Sequence, residues 1–293
     1  MAQAGQKFQK IRRRHKLLGL LRLFRIPNLF LILLGQVLVI WQFPMDENAW
    51  VLFHQPALIL AILASQASAA AGYILNDYHD VKIDIVNKPG RVVVGRLVTR
   101  RKALFAYFIL TSLAIGVGFL AGKKAGLLVL ICCFMLWLYS ARLKCIPLLG
   151  NLVVALLVSF SLFLPSLFFE AKQEAVIFFC LFAFLSNLIR ELVKDMEDMR
   201  GDRQHDCKTF PLRFGIPASR NLINMLGLLL LCLMILASLR FSGAWQLFSL
   251  LLLFPFGLFF VRLQKADRKM DFTRLSRLLK WAMLAGLAGM LWC

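Results

Sequence analysis

Charged residues are scarce in this chain, and acidic residues are scarcest. Of 293 residues only 17% are charged, with 15 Asp and Glu against 35 Lys and Arg, while 60% are hydrophobic. A soluble globular domain carries about 25% charged residues and 45–50% apolar ones. A chain so poor in charge and so rich in apolar residues is neither a soluble enzyme nor an intrinsically disordered protein.

Paired cysteine motifs are also missing. No two cysteines show the C-x-x-C spacing, their number is odd, and most lie inside apolar blocks, which argues against a zinc site and against a disulfide framework. Free cysteines in such blocks behave as small hydrophobic residues. The seven are Cys132, Cys133, Cys145, Cys180, Cys207, Cys232 and Cys293.

The apolar residues fall into blocks of about 20, the length that an α-helix needs to cross a bilayer. Helices are the expected spanning element because lipid offers no partner for unpaired backbone groups. The sequence therefore predicts an all-α polytopic membrane protein with nine transmembrane helices. The nine blocks cover residues 18–42, 51–76, 103–121, 125–141, 147–169, 174–190, 221–239, 244–261 and 278–292.

The net charge of +20 is distributed by topology and does not mark a nucleic-acid site. With nine spans, the segments opposite the N-terminus hold 4 of the 35 basic residues: Lys123, Lys124, Lys172 and Arg240. Lys and Arg accumulate on the cytoplasmic side of membrane proteins. The bias predicts a cell-membrane protein, plasma or inner, with residues 1–17 as a basic cytoplasmic N-terminus.

Nine of the 15 acidic residues lie in two short segments, one closing the second span and the other closing the sixth. Because both spans are even-numbered, both clusters should emerge on the cytoplasmic face. The first contains Asp77, Asp80 and Asp84; the second contains Glu191, Asp195, Glu197, Asp198, Asp202 and Asp206.

Helical phase places most of these residues in two stripes. At about 100° per residue, Asn76, Asp77, Asp80 and Asp84 share one helix face, and Glu191, Asp195, Asp198 and Asp202 share another. Like charges one turn apart repel each other, so each stripe calls for a cation. Oxygen ligands suit Mg²⁺, which often completes its coordination with phosphate oxygens.

Basic residues follow each acidic stripe, which favours a diphosphate site at the membrane edge. Lys88 and Arg91 come directly after the first stripe, and Arg200, Arg203 and Lys208 are near the second. Metal ions would bridge the diphosphate oxygens, and the cationic side chains would neutralise the remaining charge.

At these residues the chain resembles the UbiA superfamily of intramembrane prenyltransferases. Asn76, Asp77, Asp80 and Asp84 match the family's N-D-x-x-D-x-x-x-D motif, and Asp198 and Asp202 match its D-x-x-x-D motif. The resemblance implies one domain over residues 1–293. It also implies nine helices around a central cavity, closed by cytoplasmic cap loops at 85–102 and 203–220.

The resemblance further implies Mg²⁺-dependent transfer of a polyprenyl group from its diphosphate to a lipophilic acceptor. The catalytic residues would be Asp80, Asp84, Asp198, Asp202 and Tyr139. The metal ligands would be Asn76, Asp77, Asp80, Asp84, Asp195, Asp198 and Asp202. Substrate binding would fall to Arg25, Asn28, Lys88, Arg91, Lys144, Asn151 and Lys194.

The acceptor is open between two classes. The run from Asn76 to Gly95 looks most like family members that act on geranylgeranylglycerol phosphate, with geranylgeranyl diphosphate as donor, but Val92 replaces the family's frequent Arg. An aromatic acid of quinone biosynthesis is the alternative. A phosphate-bearing acceptor would need additional cations near the cytoplasmic helix ends, for which the candidates are Arg22, Arg25, Lys144 and Arg190.

An ion-coupled membrane transporter is the alternative from another functional class. Transporters place their carboxylates near the membrane midplane, typically on broken helices. The carboxylates of this chain stand at helix ends instead.

Overall fold

The computed structural model describes residues 19, 21–45, 47–87, 92–240 and 244–292. The described residues form α-helices and short 3-10 turns and contain no β-strand, which confirms the all-α prediction. The predicted basic segment 1–17 and the predicted ligands Lys88 and Arg91 lie outside the described residues.

The described residues contain eleven α-helices whose first and last residues are both defined. They are α1 (Ile26–Gln42), α2 (Ala49–Phe53), α3 (Pro56–His79), α4 (Val81–Asn87), α5 (Arg100–Ala121), α6 (Lys123–Ala141), α7 (Leu149–Phe163), α8 (Gln173–Gln204), α9 (Phe210–Arg240), α10 (Ala244–Gln264) and α11 (Lys269–Ala288). Short 3-10 turns cover Leu143–Cys145, Leu164–Leu167 and Gly289–Trp292.

Six of the described helices are long and apolar enough to cross a bilayer: α3, α5, α6, α7 with its 3-10 extension, α8 and α9. Two shorter apolar helices are Ile26–Gln42 and Leu251–Gln264. Helix α11 overlaps the ninth apolar block 278–292 but begins nine residues before it, and the stretch from Lys269 to Lys280 contains five charged residues, both ends included. The count of nine transmembrane helices therefore stays a prediction.

The chain breaks at two places where the sequence predicts a continuous helix. Helix α1 begins at Ile26, well inside block 18–42, because Arg25 adopts a left-handed conformation and Pro27 starts the helix. The first acidic stripe is divided between two helices, since α3 ends at His79 and α4 begins at Val81. Asp80 stands at this junction, so the prediction of one continuous helical stripe is wrong.

Small residues let α3 approach α5 and α6 closely. Ala64, Ala70, Ala71 and Gly72 are all buried in α3. A Cβ added to Gly72 would lie 2.6 Å from a methyl carbon of Leu136 in α6. Such small-residue interfaces hold membrane helices together through close backbone contact. This interface therefore sets the position of Asn76 and Asp77 at the end of α3.

Helix α8 is the most enclosed long helix, and its inner residues anchor the largest apolar cluster. Ile189, Leu192 and Val193 are fully buried against side chains from α9, α10 and α11, such as Ile223 and Leu279. With 32 residues, α8 continues past block 174–190 and carries the whole second acidic stripe to Asp202. The packed core therefore sets the position of that stripe.

A buried polar cluster ties α1, α3 and α7 together below the acidic stripes. Gln36 is fully buried and donates to Ser65 Oγ at 2.9 Å and to the carbonyl of Ser161 at 3.1 Å. Gln66 donates to the side-chain oxygen Oε1 of Gln36 at 3.0 Å. These bonds satisfy amide groups that would be costly to leave unpaired in lipid, and they fix α1 relative to α3.

Candidate active site

The first acidic motif surrounds the junction between α3 and α4. Asp80 is 4% exposed and caps the end of α3, donating its backbone N–H to the carbonyl of Asn76. The Asn76 amide donates to Asp80 Oδ2 at 2.7 Å. Asp84 follows one turn into α4, with its N–H bonded to the Asp80 carbonyl at 2.8 Å. The motif thus stays compact although the helix is interrupted.

Arg25 connects the start of α1 to this motif. Its Nη2 lies 2.7 Å from Asp77 Oδ1, and its guanidinium stacks over the Tyr73 ring at 5.0 Å from the centroid. The Tyr73 hydroxyl in turn bonds to the side chain of Asn28. The left-handed turn at Arg25 aims the predicted substrate-binding residues Arg25 and Asn28 at α3.

Lys144 lies between the two acidic motifs. It stands in the 3-10 turn Leu143–Cys145 between α6 and α7, and its ammonium pairs with Asp80. The carboxylates of Asp84 and Asp202 also act electrostatically on it. Burial alone would lower the pKa of Lys144, but the carboxylates outweigh it and the pKa is raised above the ordinary lysine value. The carboxylates therefore stabilise the charged form of Lys144.

Asn87 joins the end of α4 to the second motif. Its amide nitrogen donates to the carbonyl of Asp198 at 3.1 Å, and its amide oxygen accepts the Gly201 N–H at 3.0 Å. Asn87 comes three residues after Asp84, and Asp202 directly follows Gly201. This bridge and Lys144 bring the two acidic motifs together across 111 residues of sequence.

Asn151 and Tyr139 complete the site from α7 and α6. The Asn151 amide donates to Asp195 Oδ2 at 2.9 Å. Tyr139 lies near the end of α6, close to the carboxylates of Asp80, Glu191 and Asp195. Its neighbour Ser140 is buried, and the hydroxyl has no hydrogen-bond partner. These contacts link the two acidic motifs with α1, α6, α7 and the turn before α7, while the role of each residue in the site stays a prediction.

Glu191 is the site residue that sequence reasoning missed, since it was assigned only to an acidic stripe. It is 8% exposed and accepts from Arg190 at 3.0 Å and from Lys194 at 2.8 Å through each carboxylate oxygen. The R-E-x-x-K spacing, with opposite charges one turn apart inside an apolar helix, was the available signal.

The donor set of the motifs suits Mg²⁺, although two of the carboxylates are paired with protein cations. Among the described residues, no three His, Cys, Asp or Glu side chains are grouped closely enough to hold a metal ion. Asp77 is paired with Arg25 and Asp80 with Lys144. All the candidate ligands are carboxylate or amide oxygens, the donors that Mg²⁺ prefers, so the residues fit this ion chemically.

Comparison with known proteins identifies the family. The UbiA prenyltransferase family model matches residues 28–284, which is most of the chain and contains both acidic motifs. The chain belongs to the UbiA prenyltransferase family. It is therefore a membrane prenyltransferase with several long apolar helices.

Relatives of this prenyltransferase include two archaeal enzymes named digeranylgeranylglyceryl phosphate synthase. The protein of Korarchaeum cryptofilum is 34% identical over 237 residues, 80% of this chain and 84% of the relative. The protein of Saccharolobus solfataricus is 32% identical over 235 residues, 80% of either chain.

Solved structures share the fold of this prenyltransferase. A structure from work on digeranylgeranylglyceryl phosphate synthase in membranes aligns with a TM-score of 0.73 at 23% identity, covering 94% of this chain and 97% of that one. A UbiA homologue from Archaeoglobus fulgidus bound to GPP and Mg²⁺ aligns with a TM-score of 0.68 at 15% identity, covering 93% and 99%.

Cys145 and Cys207 form a disulfide in the prenyltransferase, which corrects the prediction that the cysteines are free. The bond joins the turn that carries Lys144 to the segment after α8, with the Cα atoms 4.5 Å apart. The Lys208 N–H also donates to the carbonyl of Cys145 at 3.1 Å. Sequence spacing could not reveal this pair, since 62 residues separate its members.

Gly201→Ala is expected to lower kcat of the prenyltransferase about 10- to 100-fold. A Cβ at this position would lie 2.6 Å from Asn87 Cγ, so the Asn87 side chain must move. The bridge between the two motifs is then lost and their relative position changes. Small displacements of reacting groups cost rate on this scale. The matched control is Gly116→Ala, whose Cβ meets no atom within 4 Å. Equal activity of the two variants would contradict the role of the Asn87 bridge.

Proposed function

We propose that this prenyltransferase transfers a geranylgeranyl group from geranylgeranyl diphosphate to the hydroxyl of geranylgeranylglycerol phosphate in a Mg²⁺-dependent reaction. The observation that carries the proposal is the alignment with archaeal digeranylgeranylglyceryl phosphate synthases over 80% of the chain. The meeting of both acidic motifs around Lys144 supports it, because a diphosphate needs charged ligands from several directions.

The charge of the site supports the need for a metal ion. Asp77, Asp80, Asp84, Asp198 and Asp202 contribute five carboxylates, and the ion pairs recorded with them involve Arg25 and Lys144. A diphosphate would bring further negative charge to this site. Mg²⁺, when bound by the motif oxygens, would neutralise the diphosphate and make it a better leaving group.

Arg25 and Lys144 would guide the diphosphate by direct contact. Both are anchored on motif carboxylates, so their charges are already placed at the site when substrate arrives. Such preorganised cations stabilise charge that develops on a leaving group. Lys88 and Arg91 would add to this set from the segment after α4.

In the proposed step the allylic C1–O bond of the prenyl diphosphate breaks, and the diphosphate leaves with the electron pair. The acceptor hydroxyl oxygen bonds to C1, and its proton is lost to the departing diphosphate. The electron-rich face of Tyr139 would stabilise the transient allylic cation. Apolar helices around the site, with residues 85–102 and 203–220 as a cap, would keep water from intercepting it.

The proposal places both acidic motifs at the cytoplasmic face of the cell membrane, following the distribution of Lys and Arg. A prenylglycerol phosphate could then enter from the lipid phase with its headgroup at the cytoplasmic end of the helix bundle, where the motifs lie. The transporter interpretation is set aside because the chain belongs to a prenyltransferase family.

Incubation of purified protein with labelled geranylgeranyl diphosphate, Mg²⁺ and a panel of acceptors tests the proposed function. We expect label to appear in digeranylgeranylglyceryl phosphate when geranylgeranylglycerol phosphate is supplied. Labelling of 4-hydroxybenzoate or a naphthoate, with none of the glycerol phosphate lipid, would overturn the choice of acceptor in favour of an aromatic acid.

A further inference from the structure

Arg190, Glu191 and Lys194 form a charged cluster on α8 that the diphosphate chemistry does not use. Glu191 holds both cations, at 3.0 Å from Arg190 and 2.8 Å from Lys194. The side chains are 22%, 11% and 31% exposed respectively. This cluster lies inside a long apolar helix, where ionised groups are costly and are usually functional.

The cluster carries more positive than negative charge. Two cations share one carboxylate, and Lys280 of α11 is close enough to Arg190 to feel its charge. The Nε atom of Arg190 is buried and has no hydrogen-bond partner. A surplus of partly buried cationic charge with an unsatisfied donor is stabilised by an anion.

The cluster lies on the same face of α8 as the second motif, but deeper in the helix bundle. At about 100° per residue, Arg190, Lys194 and Asp198 fall within an arc of about 80°. At about 1.5 Å per residue, Lys194 is about 6 Å and Arg190 about 12 Å below Asp198 along the axis. An anion bound here would be separate from the diphosphate. It would still lie near C1 of the prenyl donor, the carbon from which the diphosphate departs.

Of the other candidate cations for an acceptor, Arg22 is exposed, and Arg25 and Lys144 are already engaged. Arg25 pairs with Asp77 and Lys144 pairs with Asp80, so both belong to the diphosphate end of the site. Arg190 and Lys194 are instead paired with a carboxylate outside both motifs. The remaining anionic group in the proposed reaction is the phosphate monoester of the acceptor.

We propose that Arg190 and Lys194 bind the phosphate of the acceptor lipid, with Glu191 as the positioning residue that orients both cations. In a prenylglycerol phosphate the free hydroxyl and the phosphate stand on a three-carbon backbone. Fixing the phosphate below the motifs therefore directs the hydroxyl toward C1 of the donor. The inference rests on the proposed function and identifies which part of the site selects a phosphorylated acceptor.

Arg190→Gln and Lys194→Gln test the proposal in the full-length protein. Each is expected to raise KM for geranylgeranylglycerol phosphate about 10- to 100-fold, the effect of losing a hydrogen bond between charged groups. KM for geranylgeranyl diphosphate should change less than about threefold. Arg190→Lys should recover part of the loss, and Arg277→Gln, an exposed basic residue of α11, should behave as wild type.

Binding measurements separate this inference from the proposed function. Wild-type protein should bind geranylgeranylglycerol phosphate more tightly than dephosphorylated geranylgeranylglycerol, and Arg190→Gln and Lys194→Gln should remove that preference. Binding of the phosphate lipid without any transfer would defeat the proposed function but support the subsite. Wild type that binds both lipids equally, or variants that lose affinity for the prenyl diphosphate instead, would overturn the subsite.

Discussion

Asp80→Asn is expected to lower kcat at least about 100-fold, the scale on which removal of a preorganised charged group acts. Asp80 is almost fully buried and accepts hydrogen bonds from both Lys144 and Asn76. Asparagine keeps the size of the side chain but removes the negative charge and one acceptor oxygen. The variant would lose a proposed metal ligand and release Lys144 from its pairing with Asp80. Initial rates at saturating substrate measure the effect.

A surface carboxylate provides the control for Asp80→Asn. Glu174 pairs with Arg240, and both side chains are mostly exposed, at 66% and 69%. Exposed ion pairs contribute little to stability, so Glu174→Gln should keep wild-type activity. Thermal unfolding in detergent should show that both variants are folded. Retention of more than a tenth of wild-type kcat by folded Asp80→Asn would contradict the assigned role.

Removal of divalent cations with EDTA is expected to abolish transfer reversibly. The two motifs contribute five carboxylates, and a diphosphate would add negative charge that Arg25 and Lys144 cannot neutralise alone. We expect at least an about 100-fold loss of rate, with full recovery when Mg²⁺ is added in excess. EDTA that is already saturated with Mg²⁺ is the control. Undiminished transfer in metal-depleted buffer would refute the metal requirement.

The local parts of the site could be predicted from the sequence because they depend on spacing within one helix. Asp195, Asp198 and Asp202 share a face through the helical period alone. The sequence also places Asn76, Asp77 and Asp80 at the end of a span. It did not show that the chain bends at Asp80, since this break arises where α4 turns to contact α8.

Contacts between residues far apart in the chain could not be predicted from the spacing of residues in the sequence. Arg25 and Asp77 are 52 residues apart, Asn87 and Gly201 are 114 apart, and Cys145 and Cys207 are 62 apart. Each pair depends on how α1, α4 or the turn after α6 packs against its neighbours. The sequence named all four residues Arg25, Asp77, Asp80 and Lys144, whereas the pairing of Arg25 with Asp77 and of Lys144 with Asp80 emerged only from the packed helices.

Binding of labelled geranylgeranyl diphosphate, measured with and without Mg²⁺, tests most directly whether the two acidic motifs form one site. Wild-type protein should bind the diphosphate tightly only when Mg²⁺ is present. Asp80→Asn in the first motif and Asp198→Asn in the second should each remove the Mg²⁺-dependent part of the affinity, since neither half can hold the complex alone. If either variant, while folded, kept wild-type Mg²⁺-dependent affinity, the account of a single shared diphosphate site would be contradicted.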